Sequence, residues 1–199
     1  MSNINSTPAT PVKITVADPS AIGLLGLAIV TLAASSQKLG FTDGTALLIP
    51  WALFLGACGQ LYASVNDARL GNTFGATAFG GYAFFWFGMA LSWITISSGV
   101  KCDVRQLGVV FVGYLIFTLF MTVGAAAVSK VLFFIFVAID LLFIGLSLSN
   151  LAGSEFGHHL AGWSELAVSL LSFYACGAAV LNAHFGKTVL SVGKPFMQK

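Results

Sequence analysis

Six long apolar segments, each able to cross a lipid bilayer, constrain this chain of 199 residues more than any other feature. The apolar core of a bilayer is about 30 Å thick, and a helix crosses it with about 20 residues. Six such helices use most of the chain and leave no room for a separate soluble domain. Only 8% of the residues are charged, whereas a soluble domain carries roughly a quarter. We therefore expect an all-α integral membrane protein, a bundle of six transmembrane helices.

Short polar stretches separate the apolar segments and indicate where each segment begins and ends. We expect the spans at about residues 19–36, 46–64, 73–95, 107–128, 131–151 and 160–185. Residues 1–17 are then a flexible N-terminal tail, residues 18–190 the transmembrane domain, and residues 191–199 a C-terminal tail. Because the number of spans is even, both tails lie on the same side of the membrane.

The distribution of basic residues predicts which side that is. The loops opposite the termini contain only Lys38, Lys101 and Arg105. The side of the termini carries more, namely Lys13, Arg69, Lys130, Lys187, Lys194 and Lys199. Short loops rich in Lys and Arg stay in the cytoplasm. Both termini are therefore expected to be cytoplasmic.

Several classes of site are disfavoured by the sequence. Cys58 and Cys176 fall within apolar spans and Cys102 lies far from both, so we interpret them as buried or isolated thiols that form neither a disulfide nor a metal site. His158 and His159 are expected in a solvated outer loop. The net charge of +2 does not indicate a nucleic-acid surface. The sequence contains no nucleotide-binding motif or catalytic triad, so we expect neither an enzyme nor a cofactor.

Spans 1, 3 and 5 run in the same direction, outward from the side of the termini, so their residues can be compared by depth. Eight or nine residues after its start, each helix has risen about 12 to 14 Å, close to the middle of the bilayer. Leu27, Tyr82 and Ile139 occupy these positions. Three large side chains at one depth can form a hydrophobic collar that narrows a pore. Ordinary packing of a helical core is the alternative explanation.

The start of span 3 is unusually polar and glycine-rich for a helix that faces only lipid. Residues 71–79 have the sequence Gly-Asn-Thr-Phe-Gly-Ala-Thr-Ala-Phe, and Tyr82 and the pair Phe85-Trp86 follow. This pattern closely resembles the signature of the acetate/succinate transporter family.

Further matches to that family lie at the other end of the chain. Ala161-Gly162-Trp163 comes near the start of span 6, and Gly186-Lys187-Thr188 follows its end. The family usually has Glu where this chain has Ala183, and Arg where it has Lys187. In span 1 the match is partial, with Pro19 kept and Asp18 in place of an Asn. The resemblance covers residues 18–193.

The resemblance implies a pore in each protomer of a hexameric ring in the cell inner (plasma) membrane. In that family a Phe, a Tyr and a Leu from spans 1, 3 and 5 form the narrowest part of the pore. Motif matching places them at Leu27, Tyr82 and Ile139, the positions that depth also selects. Since Leu27 replaces a Phe, we expect a slightly wider pore.

Polar residues of span 3 are candidates for the pore wall. Asn72 and Thr73 begin the helix, where free N–H groups and a partial positive charge suit a carboxylate. A plain helix cap explains Asn72 equally well. Thr77 lies one turn deeper and could continue a track of hydroxyl groups toward Tyr82, although hydrogen bonding between helices is the alternative.

Asp140 is an acidic side chain near the middle of span 5. Such a group costs roughly 2.5 to 3.5 kcal/mol on insertion scales and normally faces a cavity or a partner. A neutral Asp140 could donate a hydrogen bond to a carboxylate beside the collar and link transport to protons. A hydrogen bond at a subunit interface is the alternative.

Span 6 contributes a second polar stripe through Glu165, Ser169, Ser172 and Cys176. Ser172 reaches the middle of the span and is a candidate pore-lining residue, whereas Glu165 lies near the outer surface and is expected to contact water. Asn182 and Lys187 lie at the inner end, where they could attract anions. Anchoring on the cytoplasmic side explains Lys187 equally well.

Taken together, the residues and the resemblance predict a homo-oligomeric, lipid-embedded channel or transporter for acetate or a similar small carboxylate, with proton coupling left open. A channel for small neutral solutes such as urea or ammonia is the main alternative, because Asp18, Asp140 and Glu165 disfavour free anions. A membrane sensor or scaffold without transport is a further alternative.

Overall fold

The computed structural model describes residues 16–197, and every regular element in that range is helical. The elements are α1 Ser20–Lys38, α2 Leu48–Trp51, a π-helical segment Ala52–Gly59, α3 Gln60–Arg69, α4 Thr73–Ser97, α5 Arg105–Ala125, α6 Lys130–Ala152 and α7 Glu155–Phe185. Because α2, the π-helical segment and α3 follow one another without a break, they form one span, Leu48–Arg69. Six helices are therefore long and apolar enough to cross a membrane. The predicted six-helix bundle is confirmed.

The largest difference from the predicted boundaries is the start of α7. Gly153 ends α6 in the left-handed conformation, with φ of 63°. Ser154 then caps α7 at once, since its hydroxyl accepts a hydrogen bond from the Gly157 N–H at 3.1 Å. His158 and His159 consequently lie on the first turns of the helix, so the prediction of a solvated loop is wrong. The His158 Nε2 atom is 3.0 Å from the Lys38 carbonyl oxygen.

Small residues allow the helices to pack closely, as is usual in membrane bundles. α6 lies between α5 and α7, while α1 packs against α7 and against the span Leu48–Arg69. A Cβ atom on Gly145 of α6 would lie 2.7 Å from the Gly157 carbonyl oxygen of α7, so a larger residue would push the two backbones apart. A Cβ on Gly26 of α1 would likewise collide with the carbonyl oxygen of Leu55.

The thiol side chains are placed differently from the prediction. Cys58 and Cys102 are exposed, and Cys176 is half-buried. Cys58 therefore lies on the outside of the bundle, because an apolar segment shows that a residue is in the membrane without showing which way it faces. All three are free thiols, and among residues 16–197 no group of His, Cys, Asp and Glu side chains is arranged to bind a metal.

The chain after α7 folds back onto the bundle. The Asn182 side chain accepts hydrogen bonds from the N–H groups of Val189 and Leu190 at 2.7 and 3.0 Å, and it donates to the Leu190 carbonyl at 2.8 Å. Further on, the Val131 N–H donates to the Val192 carbonyl at 3.0 Å. The described part of the predicted C-terminal tail is thus docked against α6 and α7. The predicted N-terminal tail lies almost entirely outside the described residues.

Candidate functional site

An open cavity of about 1030 Å³ occupies one half of the bundle. It is lined by the first halves of α1, α4 and α6, by α3 and by the last part of α7, which all lie on the side where the described chain begins and ends. We call this the terminal side and the opposite end the far side. Of the predicted site residues, those on the cavity wall are Leu27, Asn72, Thr73, Tyr82, Ile139 and Asn182.

The three residues of the predicted collar lie at the deep end of this cavity. Leu27, Tyr82 and Ile139 are the deepest lining residues on α1, α4 and α6, respectively, and all three are buried. The corresponding deepest residues on α3 and α7 are Gln60 and Ala175. The layer that ends the cavity therefore consists of these five side chains, and Gln60 was not anticipated from the sequence.

Tyr82 presents its ring, rather than its hydroxyl, to the cavity. Its Oη atom is 2.9 Å from Thr118 Oγ1 on α5. Thr118 donates its only hydroxyl proton to the Tyr114 carbonyl at 2.7 Å, so Tyr82 is the donor of the first bond. The Tyr82 ring packs against Phe117 and Phe136, with ring centroids 5.7 and 6.1 Å apart. The end of the cavity is consequently apolar at this point.

Asp140 does not line the cavity, which corrects the prediction that it does. Ile139 faces the cavity, and at 3.6 residues per turn the next side chain points about 100° away, toward α5. There Thr122 donates a hydrogen bond to Asp140 Oδ2 at 2.7 Å. Asp140 Oδ1 is buried and has no hydrogen-bond partner within residues 16–197. The partner is thus an intrachain hydroxyl, and the carboxyl group is not part of the cavity wall.

Sequence reasoning missed Thr118 and Thr122. With Tyr114 they recur every four residues along the span, a spacing that places them on one face of a helix. This row of hydroxyl groups is the sequence pattern from which a polar face of α5 could have been predicted.

Thr77 and Ser172 also lie outside the cavity. The lining positions of α4 beyond its first residue are 74, 75, 78, 79 and 82, one stripe of the helix. Thr77 falls beside this stripe and is exposed on the outer surface, so it cannot extend a hydroxyl track from Thr73. Ser172 is fully buried one turn beyond Ala175, about 4.5 Å farther from the terminal side. Its hydroxyl has no partner in the described part of the chain.

The mouth of the cavity, formed by Asp18, Asp67, Asn72 and Thr73, is acidic and polar. Asn72 caps α4, since its Oδ1 atom accepts from the Gly75 N–H at 3.2 Å, and its Nδ2 donates to Asp67 Oδ1 at 2.9 Å. Gly75 makes room for this pair, because a Cβ there would collide with the Asp67 carboxylate. Among the described residues that line the cavity there is no Lys or Arg. Lys187 is therefore not a cavity residue. Asn182 lines the cavity, but its side-chain amide is hydrogen-bonded to the backbone of residues 189 and 190.

On the far side of the bundle, an ion pair and a hydrogen bond join α1 to α7. Glu165 is only 3% exposed and forms an ion pair with Lys38, with Nζ and Oε2 2.8 Å apart. The prediction that Glu165 contacts water is wrong because the far end of α1 supplies a cation. One turn deeper, Ser169 donates to the Ala28 carbonyl at 2.8 Å. These bonds fasten α1 to α7 beyond the collar.

Comparisons with known proteins fit this architecture. A model of the GPR1/FUN34/yaaH family matches residues 1–193. The chain is 32% identical over 180 residues to the succinate-acetate/proton symporter SatP of Escherichia coli K12, covering 89% of this chain and 96% of that protein. It is 26% identical over 174 residues to ammonia transport outward protein 2 of Saccharomyces cerevisiae, covering 82% of this chain and 61% of that protein.

A solved structure of the bacterial acetate channel SatP has the same fold. It matches with a TM-score of 0.85 and 31% sequence identity, and the match covers 90% of this chain and 100% of the SatP chain. The predicted resemblance is therefore confirmed over nearly the whole described bundle. With its six spans and its family signature in span 3, the chain belongs to the GPR1/FUN34/yaaH family, and it is a multi-pass membrane protein.

Proposed function

We propose that this protein conducts acetate and similar small carboxylates across the cell inner membrane, through a pore within each protomer. The observation that carries the proposal is the cavity of about 1030 Å³, whose deepest lining residues on α1, α4 and α6 are Leu27, Tyr82 and Ile139. Its relatives include a succinate-acetate/proton symporter and an acetate channel. The protein is thus a transporter or channel rather than an enzyme, and the terminal side corresponds to the cytoplasm.

The solute crosses the collar most easily as the neutral acid. Moving an ionised carboxylate into an apolar layer costs far more free energy than moving an uncharged polar group. The cavity wall offers no cation to offset this cost within the described residues, and Asp18 and Asp67 repel anions at its mouth. We infer that a proton travels with the solute, which makes uptake faster at acid pH.

The proposed assembly is a homo-oligomer, with a hexameric ring as the expected form. α5 presents a row of exposed apolar side chains suited either to lipid or to a neighbouring protomer, among them Val109, Val112, Ile116, Phe120 and Val123. Native mass spectrometry of the detergent-solubilised protein measures the number of subunits. A monomer that transports at the full rate would contradict any need for the ring.

Uptake of labelled acetate into proteoliposomes tests the proposed function. Acetate uptake is measured at about pH 5.5 and about pH 7.5, since the neutral acid is about 100-fold more abundant at the lower pH. Liposomes without protein give the rate of direct passage through lipid, and unlabelled succinate, formate and urea serve as competitors. We expect saturable uptake that is faster at acid pH. Protein that adds no acetate uptake at either pH would overturn the proposal.

Passage of a small neutral solute such as ammonia or urea is the second candidate function. The acidic mouth without a lining cation favours it, and one yeast relative is named an ammonia transport outward protein. Urea and ammonia entry in the same liposomes distinguish the two functions. Free entry of both without acetate uptake would establish the neutral-solute channel, and no flux of any solute would support a sensor or scaffold.

A further inference from the structure

Gln60 is the most deeply buried long polar side chain on the cavity wall. It is 1% exposed and lies in the layer that ends the cavity, together with the collar and Ala175. Neither its Oε1 nor its Nε2 atom has a hydrogen-bond partner within residues 16–197. Buried polar groups are nearly always hydrogen-bonded, so an unpartnered amide at the end of a cavity indicates a place where a ligand binds.

The local backbone explains how the amide comes to face the cavity. Gln60 is the first residue after the π-helical segment Ala52–Gly59. A π-helical turn contains an extra residue, which changes the direction of the side chains that follow it, and such turns are frequent at functional sites. Gly26 allows α1 to approach this segment, and a Cβ on Gly26 would lie 3.7 Å from the Gln60 Cγ atom. The side chain is therefore held between two closely packed helices.

No other group in this layer can bind a carboxyl. Leu27, Ile139 and Ala175 are apolar, and the Tyr82 hydroxyl is already donated to Thr118. The remaining polar residues that line the cavity lie nearer its mouth or at its rim. A solute that reaches the collar thus meets one carboxamide in an otherwise apolar surrounding.

We propose that Gln60 binds the carboxyl group of the solute at the collar. This inference rests on the proposed function. The Nε2 group donates to a carboxylate, and with a neutral acid Oε1 also accepts the acid proton, which gives two hydrogen bonds. The methyl group of acetate then packs against the aliphatic side chains of the collar.

Replacing the amide by an apolar side chain of similar length tests the proposal. The full-length Gln60→Met protein is reconstituted, and acetate uptake is measured against acetate concentration. Loss of the two hydrogen bonds to the neutral acid, each worth about 1 kcal/mol, raises the half-saturating concentration by roughly tenfold or more. Ser147→Ala is the matched control, because the Ser147 hydroxyl is also buried without a partner in the described bundle but does not line the cavity. We expect wild-type uptake for this control.

Gln60→Glu supplies a readout that a purely structural role would not change. Glu has the same length, yet its ionised form repels a carboxylate while its neutral form still pairs with an acid. Acetate uptake by this variant should therefore fall more at neutral than at acid pH, relative to the wild type. Gln60→Asn retains the amide and should recover part of the acetate affinity that Gln60→Met loses.

The outcomes separate this proposal from the proposed function. Binding of acetate to each purified variant is also measured by saturation-transfer difference NMR, which does not require transport. Wild-type uptake with an unchanged half-saturating concentration in Gln60→Met would overturn the role of Gln60 alone. If the wild type neither binds nor takes up acetate, both proposals fail. If Gln60→Met does not fold, an unaltered pH profile in Gln60→Glu is the result that overturns the assignment.

Discussion

Gln60 and Glu165 are the two longest polar side chains that the described bundle buries, and they differ in what satisfies them. Glu165, on the far side, pairs with Lys38 at 2.8 Å. Gln60, at the end of the cavity, has no partner among the described residues. The two residues are almost equally buried, at 3% and 1% exposure. Burial alone therefore does not distinguish a structural polar residue from a candidate binding residue; of the buried side chains without a partner in the described part of the chain, Gln60 is the one that also lines the cavity.

The same contrast extends to the two halves of the bundle. On the far side α1 and α7 are fastened by the Lys38–Glu165 pair and by the hydrogen bond from Ser169 to Ala28. On the terminal side the helices stand apart around the cavity, whose deepest lining residues on α1, α4 and α6 are Leu27, Tyr82 and Ile139. The predictions below test the far side first and the proposed collar next.

Breaking the ion pair has the largest expected effect. Lys38→Met leaves the Glu165 carboxylate buried without a cation, which costs about 3 kcal/mol of unfolding free energy. Thermal or denaturant unfolding of the purified protein measures the loss. The double variant Lys38→Met with Glu165→Gln should recover most of the stability, since no buried charge remains. Equal stability of Lys38→Met and the wild type would show that the pair does not hold the far side together.

Narrowing the collar should affect transport according to solute size. Leu27→Phe adds bulk at the deepest lining position of α1, so propionate uptake should fall about tenfold relative to formate uptake. Rates for formate, acetate and propionate in proteoliposomes give this ratio. Leu32→Phe is a suitable control, because Leu32 is exposed on the outside of the same helix. Equal slowing of every solute would argue against selection by size.

Removing the Tyr82 hydroxyl should have a smaller effect than removing its ring. Tyr82→Phe loses the bond to Thr118, which costs about 1 kcal/mol of stability, but the apolar surface facing the cavity stays in place. Acetate uptake should remain near the wild-type rate, whereas Tyr82→Ala should open the collar and admit larger acids. Abolished uptake in Tyr82→Phe would mean that the hydroxyl itself contacts the solute.

Neutralising Asp140 is expected to have the smallest effect on transport. The carboxyl group faces Thr122 outside the cavity, so Asp140→Asn should leave the rate of acetate uptake and its pH dependence unchanged. Asn retains an oxygen that accepts the Thr122 hydroxyl. Uptake measured from acid to neutral pH checks this prediction. Loss of the acid stimulation would instead identify Asp140 as the group that carries the proton.

Sequence reasoning located the depth of residues better than their direction. The six spans followed from apolar length, and Leu27, Tyr82 and Ile139 followed from the constant rise of a helix, about 1.5 Å per residue. Thr77 and Asp140 were placed at plausible depths but assigned to the wrong face. A shift of one residue turns a side chain by about 100°, and apolar residues on all sides of a membrane helix leave no clear stripe to orient it.

By itself the sequence determined that the chain crosses a membrane with six helices, and the stretch at residues 71–79 identified the family. Only the tertiary structure decided which polar groups are satisfied. Lys38 and Glu165 are 127 positions apart, and their contact depends on the packing of α1 against α7. The unpartnered amide of Gln60 follows a π-helical segment, and no local sequence pattern predicted the backbone hydrogen bonds of that segment. Helix length is a local property of the chain, whereas a hydrogen bond between helices requires their relative rotation.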